Sequence, residues 1–433
     1  ADYDNDGAVD VLVLRGAWLG EAGQQVNSLL KNDGKGRFRD VTFEVGLGEQ
    51  RYPTPTAAWG DYNNDGHLDL YIGNENYPAQ LFTNNGEGEF VDMASFAGVE
   101  NNLFAKGVVW GDYDNDGFLD LYVSNNLGDN RLYRNNQNGT FTDVAPMLGV
   151  TGPFKSFPAW FWDYNNDGVL DLYVSSWWPD VQYVAATFLE EPHEAELPCL
   201  YEGDGKGGFR NVAIERKLTA NAQPMGANFG DLDNDGWLDF YLGTGYPEYE
   251  ALMPNLMYRN ASGKGFDDVT MAGGFGHLQK GHGVAFGDLN NNGTQDLYIQ
   301  MGGAYAGDKF GNLLFENPGF SNHWIGIKLV GRESNRSAIG TRIRVDVIEN
   351  GKPRTIYKWV NSGGSFGANP LQQQIGLGKA TGIQSIELYW PKTGKTQKVT
   401  DVPADQFIEI TEGETGYHKR SLKSFAFAKE TAN

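Results

Sequence analysis

The sequence predicts an all-β fold, a β-propeller of six or seven blades followed by a small all-β domain. Three observations support this class: the composition, a loop that occurs six times, and short apolar runs around each loop. Glycine contributes 58 of 433 residues and aromatic residues 13%, a combination typical of short strands joined by tight turns. No stretch approaches the roughly 18 consecutive apolar residues that a membrane-spanning helix needs.

The repeated loop has the pattern D-x-[DN]-x-[DN]-G-x-x-D and begins at Asp2, Asp61, Asp112, Asp163, Asp231 and Asp288. Successive copies begin 59, 51, 51, 68 and 57 residues apart, a spacing that suits four-stranded propeller blades. A β-like run precedes each later loop, an apolar run such as DLYIGN follows it, and two further runs complete the unit. Aromatic and β-branched residues on both strand faces indicate sheets packed between neighbouring sheets.

The loop chemistry points to a hard cation. Side-chain oxygens at positions 1, 3, 5 and 9 can converge with the backbone carbonyl of position 7, and glycine at position 6 permits the sharp turn. Oxygen donors without imidazole or thiolate favour Ca²⁺. An EF-hand would need Glu at position 12, where this chain has Ile72, Val123 or Val174.

We therefore predict up to six Ca²⁺ sites. Their residues at positions 1, 3, 5, 7 and 9 are Asp2, Asp4, Asp6, Ala8 and Asp10; Asp61, Asn63, Asp65, His67 and Asp69; Asp112, Asp114, Asp116, Phe118 and Asp120; Asp163, Asn165, Asp167, Val169 and Asp171; Asp231, Asp233, Asp235, Trp237 and Asp239; and Asp288, Asn290, Asn292, Thr294 and Asp296.

The alternative interpretation of these loops is that they are ordinary Asp/Asn/Gly turns. Six copies with fixed internal spacing argue against it, as do 20 carboxylates at the ligand positions, which repel one another without a counter-ion. We expect Ca²⁺ in at least the loops beginning at Asp61, Asp112, Asp163 and Asp231. The sixth loop should bind most weakly because Asn290 and Asn292 replace acids.

The charge distribution predicts a domain boundary. The net charge of −22 divides into −28 up to Phe320 and +6 from Ser321 onward. We assign residues 1–320 to the propeller, 321–412 to the small all-β domain and 413–433 to a C-terminal tail. The overall acidity argues against nucleic acid or an anionic membrane surface as a partner. Cys199 is the single cysteine, so no intrachain disulfide forms.

Three further patterns have both functional and structural interpretations. Residues 363–367 fit G-x-S-x-G, although a nucleophile elbow needs a strand-to-helix turn that nothing here predicts. His277 and His282 could bind metal or act as bases, but histidines in glycine-rich loops are usually structural. An insertion between Trp177 and Tyr201 carries Trp177, Trp178 and Tyr183, which could stack on sugar rings or pack on their own blade.

The six loops resemble the FG-GAP/VCBS-type calcium repeats of integrin-α-like β-propellers. The C-terminal part resembles the ASPIC/UnbV domain, through NHWIGIKLVGRESNRSAIGTRIRV at Asn322, NSGGSFGANPLQQQIGLGKA at Asn361 and SIELYWPKTGKTQKVTDVPADQFIEI at Ser385. This resemblance implies a secreted, extracellular or periplasmic calcium-dependent propeller, usually without catalytic activity. The family normally has a strand before the first loop, so we expect an edge gap at Asp2, filled by a C-terminal strand, an N-terminal segment or a neighbouring molecule.

We therefore expect a non-catalytic adhesion, binding or scaffold module with a protein or glycan partner. One alternative is a structural or accessory subunit of a larger extracellular assembly. Another is a propeller enzyme that acts on polysaccharide, which would need a deep pocket with converging His, Tyr and acidic side chains.

Overall fold

The chain folds into six sheets that surround a common axis, followed by two sheets of a C-terminal sandwich. These elements are seen in a computed structural model that describes residues 1–361 and 366–427. The all-β propeller class predicted from the sequence is confirmed.

Within each propeller sheet, consecutive strands pair antiparallel from the inside to the outside of the ring. The six sheets comprise β1 Val11–Val13, β2 Ser28–Asn32 and β3 Phe38–Asp40; β4 Thr56–Gly60, β5 Asp69–Gly73, β6 Gln80–Asn84 and β7 Phe90–Asp92; β8 Ala105–Gly111, β9 Asp120–Asn125, β10 Arg131–Asn135 and β11 Phe141–Asp143; β12 Ser156–Trp162, β13 Asp171–Ser176, β14 Cys199–Gly203 and β15 Phe209–Asn211; β16 Pro224–Gly230, β17 Asp239–Thr244, β18 Leu256–Asn260 and β19 Phe266–Asp268; and β20 Gly281–Gly287, β21 Asp296–Met301 and β22 Leu313–Phe315.

The propeller core lies between successive sheets, because each sheet is apolar on both faces. Separate clusters of buried residues join sheets 1 and 2, 2 and 3, 3 and 4, 4 and 5, and 5 and 6. At the outer edge, loops 1 to 4 have a tyrosine at position 2, and its ring contacts the first residue of the next sheet's fourth strand. The Tyr62 and Phe141 rings, for example, lie 5.5 Å apart. The repeated loop therefore also supplies part of the packing between blades.

The ring is open between sheets 6 and 1 in the part of the chain that the structure describes. The first sheet has no strand inside β1, and the sixth has no fourth strand. Tyr298 of sheet 6 is 39% exposed, whereas the corresponding Tyr122 of sheet 3 is fully buried. Phe38 of sheet 1 is likewise exposed. The predicted edge gap at Asp2 is present among the described strands, and what fills it stays a prediction.

Three short α-helices interrupt the β pattern of the described residues, and the sequence did not predict them. α1 Ala94–Ala97 and α2 Ala145–Leu148 follow fourth strands, and each ends at a glycine with left-handed backbone angles. α3 Val181–Phe188 lies in the insertion, where the Asp180 carboxylate accepts a hydrogen bond from the Gln182 backbone N–H. No helix of the described residues is long and apolar enough to cross a membrane.

The C-terminal domain is a sandwich of two four-stranded sheets. One contains β23 His323–Val330, β26 Gln373–Gly378, β29 Gln406–Thr411 and β30 His418–Arg420; the other contains β24 Arg342–Glu349, β25 Lys352–Trp359, β27 Gly382–Trp390 and β28 Lys395–Pro403. Isoleucines and valines of both sheets form one buried core. β23 and β29 pair in parallel. β30 lies in the segment that we assigned to a tail, and it pairs with β29.

Candidate metal sites

Each nine-residue loop joins the innermost position of a sheet to its second strand. In the second loop, the two carboxylate oxygens of Asp61 at position 1 accept hydrogen bonds of 3.0 Å from the backbone N–H groups of Asp65 and Gly66. The same pair of bonds occurs in the other five loops. The backbone therefore fixes the orientation of every position-1 carboxylate.

The acid at position 9 begins the second strand in five loops, directly precedes it in the first, and is buried in all six. The Asp69 carboxylate accepts hydrogen bonds from the backbone N–H groups of Tyr62, at 3.3 Å, and of Asn84 in the third strand, at 2.9 Å. In this way the first and last residues of the loop are held close together, as binding of one ion by both residues requires.

In three loops the carboxylates converge closely enough to hold one ion. Ligand oxygens within 4.8 Å of one another come from Asp2, Asp4 and Asp6; from Asp112, Asp114 and Asp120; and from Asp231, Asp233 and Asp239. These are the three loops with aspartate at position 3. The other three loops have Asn63, Asn165 or Asn290 there, and an amide oxygen takes the place of a carboxylate.

Burial makes the negative charge of these loops costly. It raises the pKa of Asp61, Asp112 and Asp163 to about 7 and that of Asp231 to about 8, and carboxylates of the same loop add to the shift. The pKa of Asp2 rises to about 6 for the same reasons. The pKa of each position-9 acid is also raised by burial. A bound divalent cation would offset this cost.

The donor set fits Ca²⁺. The candidate ligands at positions 1, 3, 5 and 9 are carboxylate or amide oxygens, and hard oxygen donors in a flexible loop are the ligands that Ca²⁺ takes. Position 7 is occupied by residues as different as Ala8, His67 and Trp237, which agrees with a contribution through the backbone carbonyl alone.

The asparagine at position 4 is a structural residue of the site that our sequence reasoning did not single out. It has positive φ in every loop, between 54° and 58°. Its side-chain N–H group donates to the position-6 carbonyl of the next loop, as from Asn64 to Gly117 at 2.8 Å. Asn5, Asn166 and Asn234 make the same bond. Its presence in all six copies was the available signal.

A second such residue is the asparagine that ends most third strands. The side chain of Asn135 donates to the Leu119 carbonyl of its own loop and to the Tyr62 carbonyl of the preceding loop, at 3.0 and 2.8 Å. Asn84, Asn260 and Asn317 repeat this arrangement, whereas sheet 4 has Gly203 at this position. Successive loops are therefore connected through buried amides.

The C-terminal domain covers the loop face of the propeller. Backbone or side-chain N–H groups of Arg336, Arg342, Arg354, Tyr357 and Gln374 donate to five of the six loops, and Lys392 contacts the remaining one. This basic domain thus lies against the acidic loops of the propeller. The charge difference between the two halves was the sequence signal for this contact.

The glycine at position 6 lies at this contact. A Cβ atom on Gly66 would lie 2.4 Å from the Glu333 carbonyl oxygen, and one on Gly236 would lie 2.8 Å from the Gly376 carbonyl oxygen. Both glycines have positive φ. The glycine therefore serves both the loop turn and the close approach of the second domain.

On the axis of the ring, a cavity of about 870 Å³ is bordered by Trp177, Tyr246, Lys280, His282 and Phe366, among others. Several of its polar groups contact other parts of the protein. His282 Nε2 lies 2.7 Å from the Gly302 carbonyl oxygen, and Lys280 contacts the Asp308 carboxylate and two backbone carbonyls. Ser365 of the G-x-S-x-G pattern lies outside the described residues.

The aromatic residues of the insertion pack against the protein. Trp177 is buried, and its indole N–H donates to the Gly245 carbonyl oxygen at 3.1 Å. The Trp178 ring lies beneath the Lys155 ammonium group, 3.8 Å away, and contacts Tyr183. His277 accepts a hydrogen bond from the Gln279 backbone N–H. Packing is thus the role that the structure supports for these side chains.

The geometry defines a β-propeller in which each blade has its own acidic loop between the first and second strand positions. Residues 2–72, 61–123, 112–174 and 193–242 match the model of the FG-GAP-like repeat, and residues 331–416 match that of ASPIC and UnbV. The chain belongs to the FG-GAP-like repeat family and carries an ASPIC/UnbV domain. The repeat matches include the first five loops.

Among curated relatives, the chain is similar to proteins named cartilage acidic protein 1. It is 25% identical to that of Mus musculus over 365 residues, which cover 78% of this chain and 51% of the relative. It is 24% identical to that of Homo sapiens over 356 residues, 78% of this chain and 50% of the relative. The chain spans about half the length of these two relatives.

Similar solved structures include a complex of SapL1 lectin with alpha methyl fucoside, at 14% identity and a TM-score of 0.38, covering 72% of this chain and 97% of the lectin chain. The Dos1 propeller is 9% identical with a TM-score of 0.34, covering 93% of this chain and 86% of the other. At this level of similarity, neither structure indicates a ligand for this chain.

Proposed function

We propose that this chain is an extracellular or periplasmic calcium-binding propeller that acts as a non-catalytic adhesion, binding or scaffold module. The observation that carries the proposal is the set of six loops in which the backbone orients the position-1 carboxylate, three of which bring carboxylate oxygens within 4.8 Å of one another. Positions 1, 3, 5, 7 and 9 would hold the ion. Bound Ca²⁺ supplies positive charge and cross-links the loop, so its effect is on stability.

The ligand-holding residues of adjacent loops are connected, and this supports a structural role for the metal. Hydrogen bonds from position-4 and third-strand asparagines join one loop to the next. Ordering one loop therefore favours the geometry of its neighbours. The second domain contacts the same face, so calcium would also support domain packing.

The likeness of these loops to the calcium repeats of extracellular propellers supports an extracellular or periplasmic location. Extracellular calcium modules bind in the range of about 10⁻⁴ to 10⁻³ M, where the ion is abundant outside cells. A partner of protein or glycan chemistry would bind surfaces outside the covered loop face. Membership in a larger extracellular assembly stays the alternative role.

Thermal unfolding of the full chain tests the proposal. A ligand that binds only the folded state stabilises it by about 2.7 kcal/mol per site at a hundredfold excess over Kd. We expect chelation to lower the melting temperature markedly, Ca²⁺ to restore it, and Mg²⁺ to restore much less. A melting temperature that responds neither to chelator nor to Ca²⁺ would reject the metal sites.

A further inference from the structure

One residue in the third strand of each sheet differs in charge from sheet to sheet. It directly precedes the residue whose backbone N–H donates to the position-9 carboxylate. In chain order these residues are Lys31, Thr83, Arg134, Glu202, Arg259 and Glu316. Odd-numbered sheets carry a basic residue at this position, and even-numbered sheets do not.

This alternation matches the residue at position 3 of the loop without exception. Loops 1, 3 and 5 have Asp4, Asp114 and Asp233, and their sheets carry Lys31, Arg134 and Arg259. Loops 2, 4 and 6 have Asn63, Asn165 and Asn290, and their sheets carry Thr83, Glu202 and Glu316. The fourth carboxylate of a loop is thus always accompanied by a base.

In sheets 1 and 5 the base and the position-3 acid are in contact. Lys31 Nζ forms an ion pair with the Asp4 carboxylate and lies 3.3 Å from Asp6 Oδ2. An Arg259 guanidinium nitrogen lies 2.8 Å from Asp233 Oδ2 and 3.8 Å from Asp235 Oδ2. Lys31 and Arg259 therefore contact carboxylates at positions 3 and 5, which are candidate ligands. Burial raises the pKa of Asp114, and the Arg134 charge opposes this rise without forming an ion pair.

The even-numbered sheets use this position differently. The Thr83 hydroxyl is 2.8 Å from the Tyr62 hydroxyl, and Glu202 accepts hydrogen bonds from Arg216 and Arg210. In these sheets no base of the third strand competes for the candidate ligands.

We infer that the third-strand residue divides the metal loops into two alternating classes and sets their calcium affinity. In loops 1 and 5 the base would share a carboxylate with the ion and repel it, and in loop 3 the Arg134 charge would act from farther away, so binding is weaker than four carboxylates would give. When the ion leaves, the same base remains to offset the loop charge. Even-numbered loops bind through fewer charges and have no such base in their third strand. This inference rests on the proposed calcium function.

The fifth loop is the best place to test it. Trp237 occupies position 7, so terbium luminescence excited through tryptophan reports preferentially on this site. Added Ca²⁺ displaces the terbium and lowers the signal. Removing one positive charge within a few ångströms of a divalent ion should tighten binding by roughly threefold to tenfold. We expect Arg259→Met to lower the Ca²⁺ concentration of half-displacement by this amount. Lys264→Met, on the exposed turn of the same sheet, is the matched control.

Further variants test the opposite change, a weakening of Ca²⁺ binding. Asp233→Asn alone should weaken binding, and Arg259→Met combined with Asp233→Asn should return it toward that of the wild type, because the fifth loop then resembles an even-numbered one. Thr83→Lys should weaken Ca²⁺ binding at the second loop, as measured by calorimetry. The Thr83→Lys measurement needs no change in the fifth loop, so it still tests the role of the third-strand charge if Arg259→Met unfolds.

The outcomes separate the two proposals. If the wild-type chain binds Ca²⁺ but Arg259→Met and Thr83→Lys both match the Lys264→Met control, the charge-setting role is wrong and the calcium sites stand. If the wild-type chain shows no displacement of terbium by Ca²⁺ and no calorimetric binding, both proposals are wrong.

Discussion

The loop carboxylates have two kinds of contact, one with the backbone and one with each other. Asp116 at position 5 of the third loop, for example, accepts a hydrogen bond of 2.9 Å from the Phe118 backbone N–H. The backbone bonds orient the oxygens, and oxygens of Asp112, Asp114 and Asp120 in the same loop lie within 4.8 Å of one another. Loss of a ligand residue should therefore cost stability in two ways, and only one of them depends on calcium.

Comparison of two position-5 variants separates these effects. We expect Asp116→Ala to reduce the calcium-induced rise in melting temperature more than Asn292→Ala does, because the third loop has four acids and the sixth has two. Both side chains accept a backbone N–H bond, so both variants lose a similar contact. Melts with Ca²⁺ and with chelator measure the difference. An equal reduction in both variants would indicate that the number of acids in a loop does not determine how much Ca²⁺ stabilises it.

Lowering the pH should have opposite effects on stability: it should stabilise the metal-free chain and reduce the stabilisation by bound Ca²⁺. Burial raises the folded-state pKa of Asp61, Asp112 and Asp163 to about 7, whereas the unfolded chain has ordinary values near 4. A raised carboxyl pKa stabilises the fold at low pH, and this contribution is lost as pH rises through about 7.

We therefore expect the chelated chain to lose stability between about pH 4 and pH 8. The stabilisation by Ca²⁺ should grow over the same interval, because protons compete for the ligands. Melting temperatures across this range, with and without chelator, measure both trends. Greater stability of the chelated chain at pH 8 than at pH 5 would contradict this assignment.

At the scale of the element, the unit is a blade joined to its neighbours through buried amides. Asn135 at the end of β10 contributes a backbone N–H to Asp120 and a side-chain N–H group to two carbonyls in two loops. These bonds cross between blades, so they couple the metal loop of one sheet to the next.

Removal of this amide should be costly. We expect Asn135→Ala to destabilise the chain by about 2–4 kcal/mol, because two buried carbonyls lose a donor. Asn136→Ala, in the adjacent turn, should cost under about 1 kcal/mol, since its side chain bonds only to Thr140 and Thr142. Denaturant unfolding in calcium compares the two. Equal losses would show that the amide bridge adds little.

The strands were predictable where the repeat is regular. Apolar runs on both sides of each loop correspond to strands such as β5 and β9. The repeat pattern does not predict β14, because the insertion separates this strand from the loop, and it does not predict α3, because the eight residues of the helix carry no repeated pattern. Helix α3 forms where the insertion packs on the ring, a tertiary effect that periodicity does not encode.

At the scale of the whole molecule, the acidic loop face and the basic C-terminal domain form one interface. The sequence separated the two parts by charge, but their contact depends on where eight sheets meet in space. The loops therefore lie between the two domains. Calcium bound there would stabilise both the blades and the packing of the domains.

Two glycines with similar backbone angles test this interface. Gly66 and Gly88 have φ of 87° and 90°, but only a Cβ at Gly66 would meet the second domain. We expect Gly66→Ala to lower the melting temperature more than Gly88→Ala, because both substitutions share the left-handed strain and only one disturbs the contact. Similar losses for both would mean that strain alone accounts for them.

A crystal structure of the full chain grown with millimolar Ca²⁺ tests the calcium assignment most directly. We expect an anomalous peak in at least the loops beginning at Asp61, Asp112, Asp163 and Asp231. Each ion should have six to eight oxygen ligands at about 2.3–2.6 Å. Loops without anomalous density, with their carboxylates pointing apart, would show that they are turns and that the propeller is held together without metal.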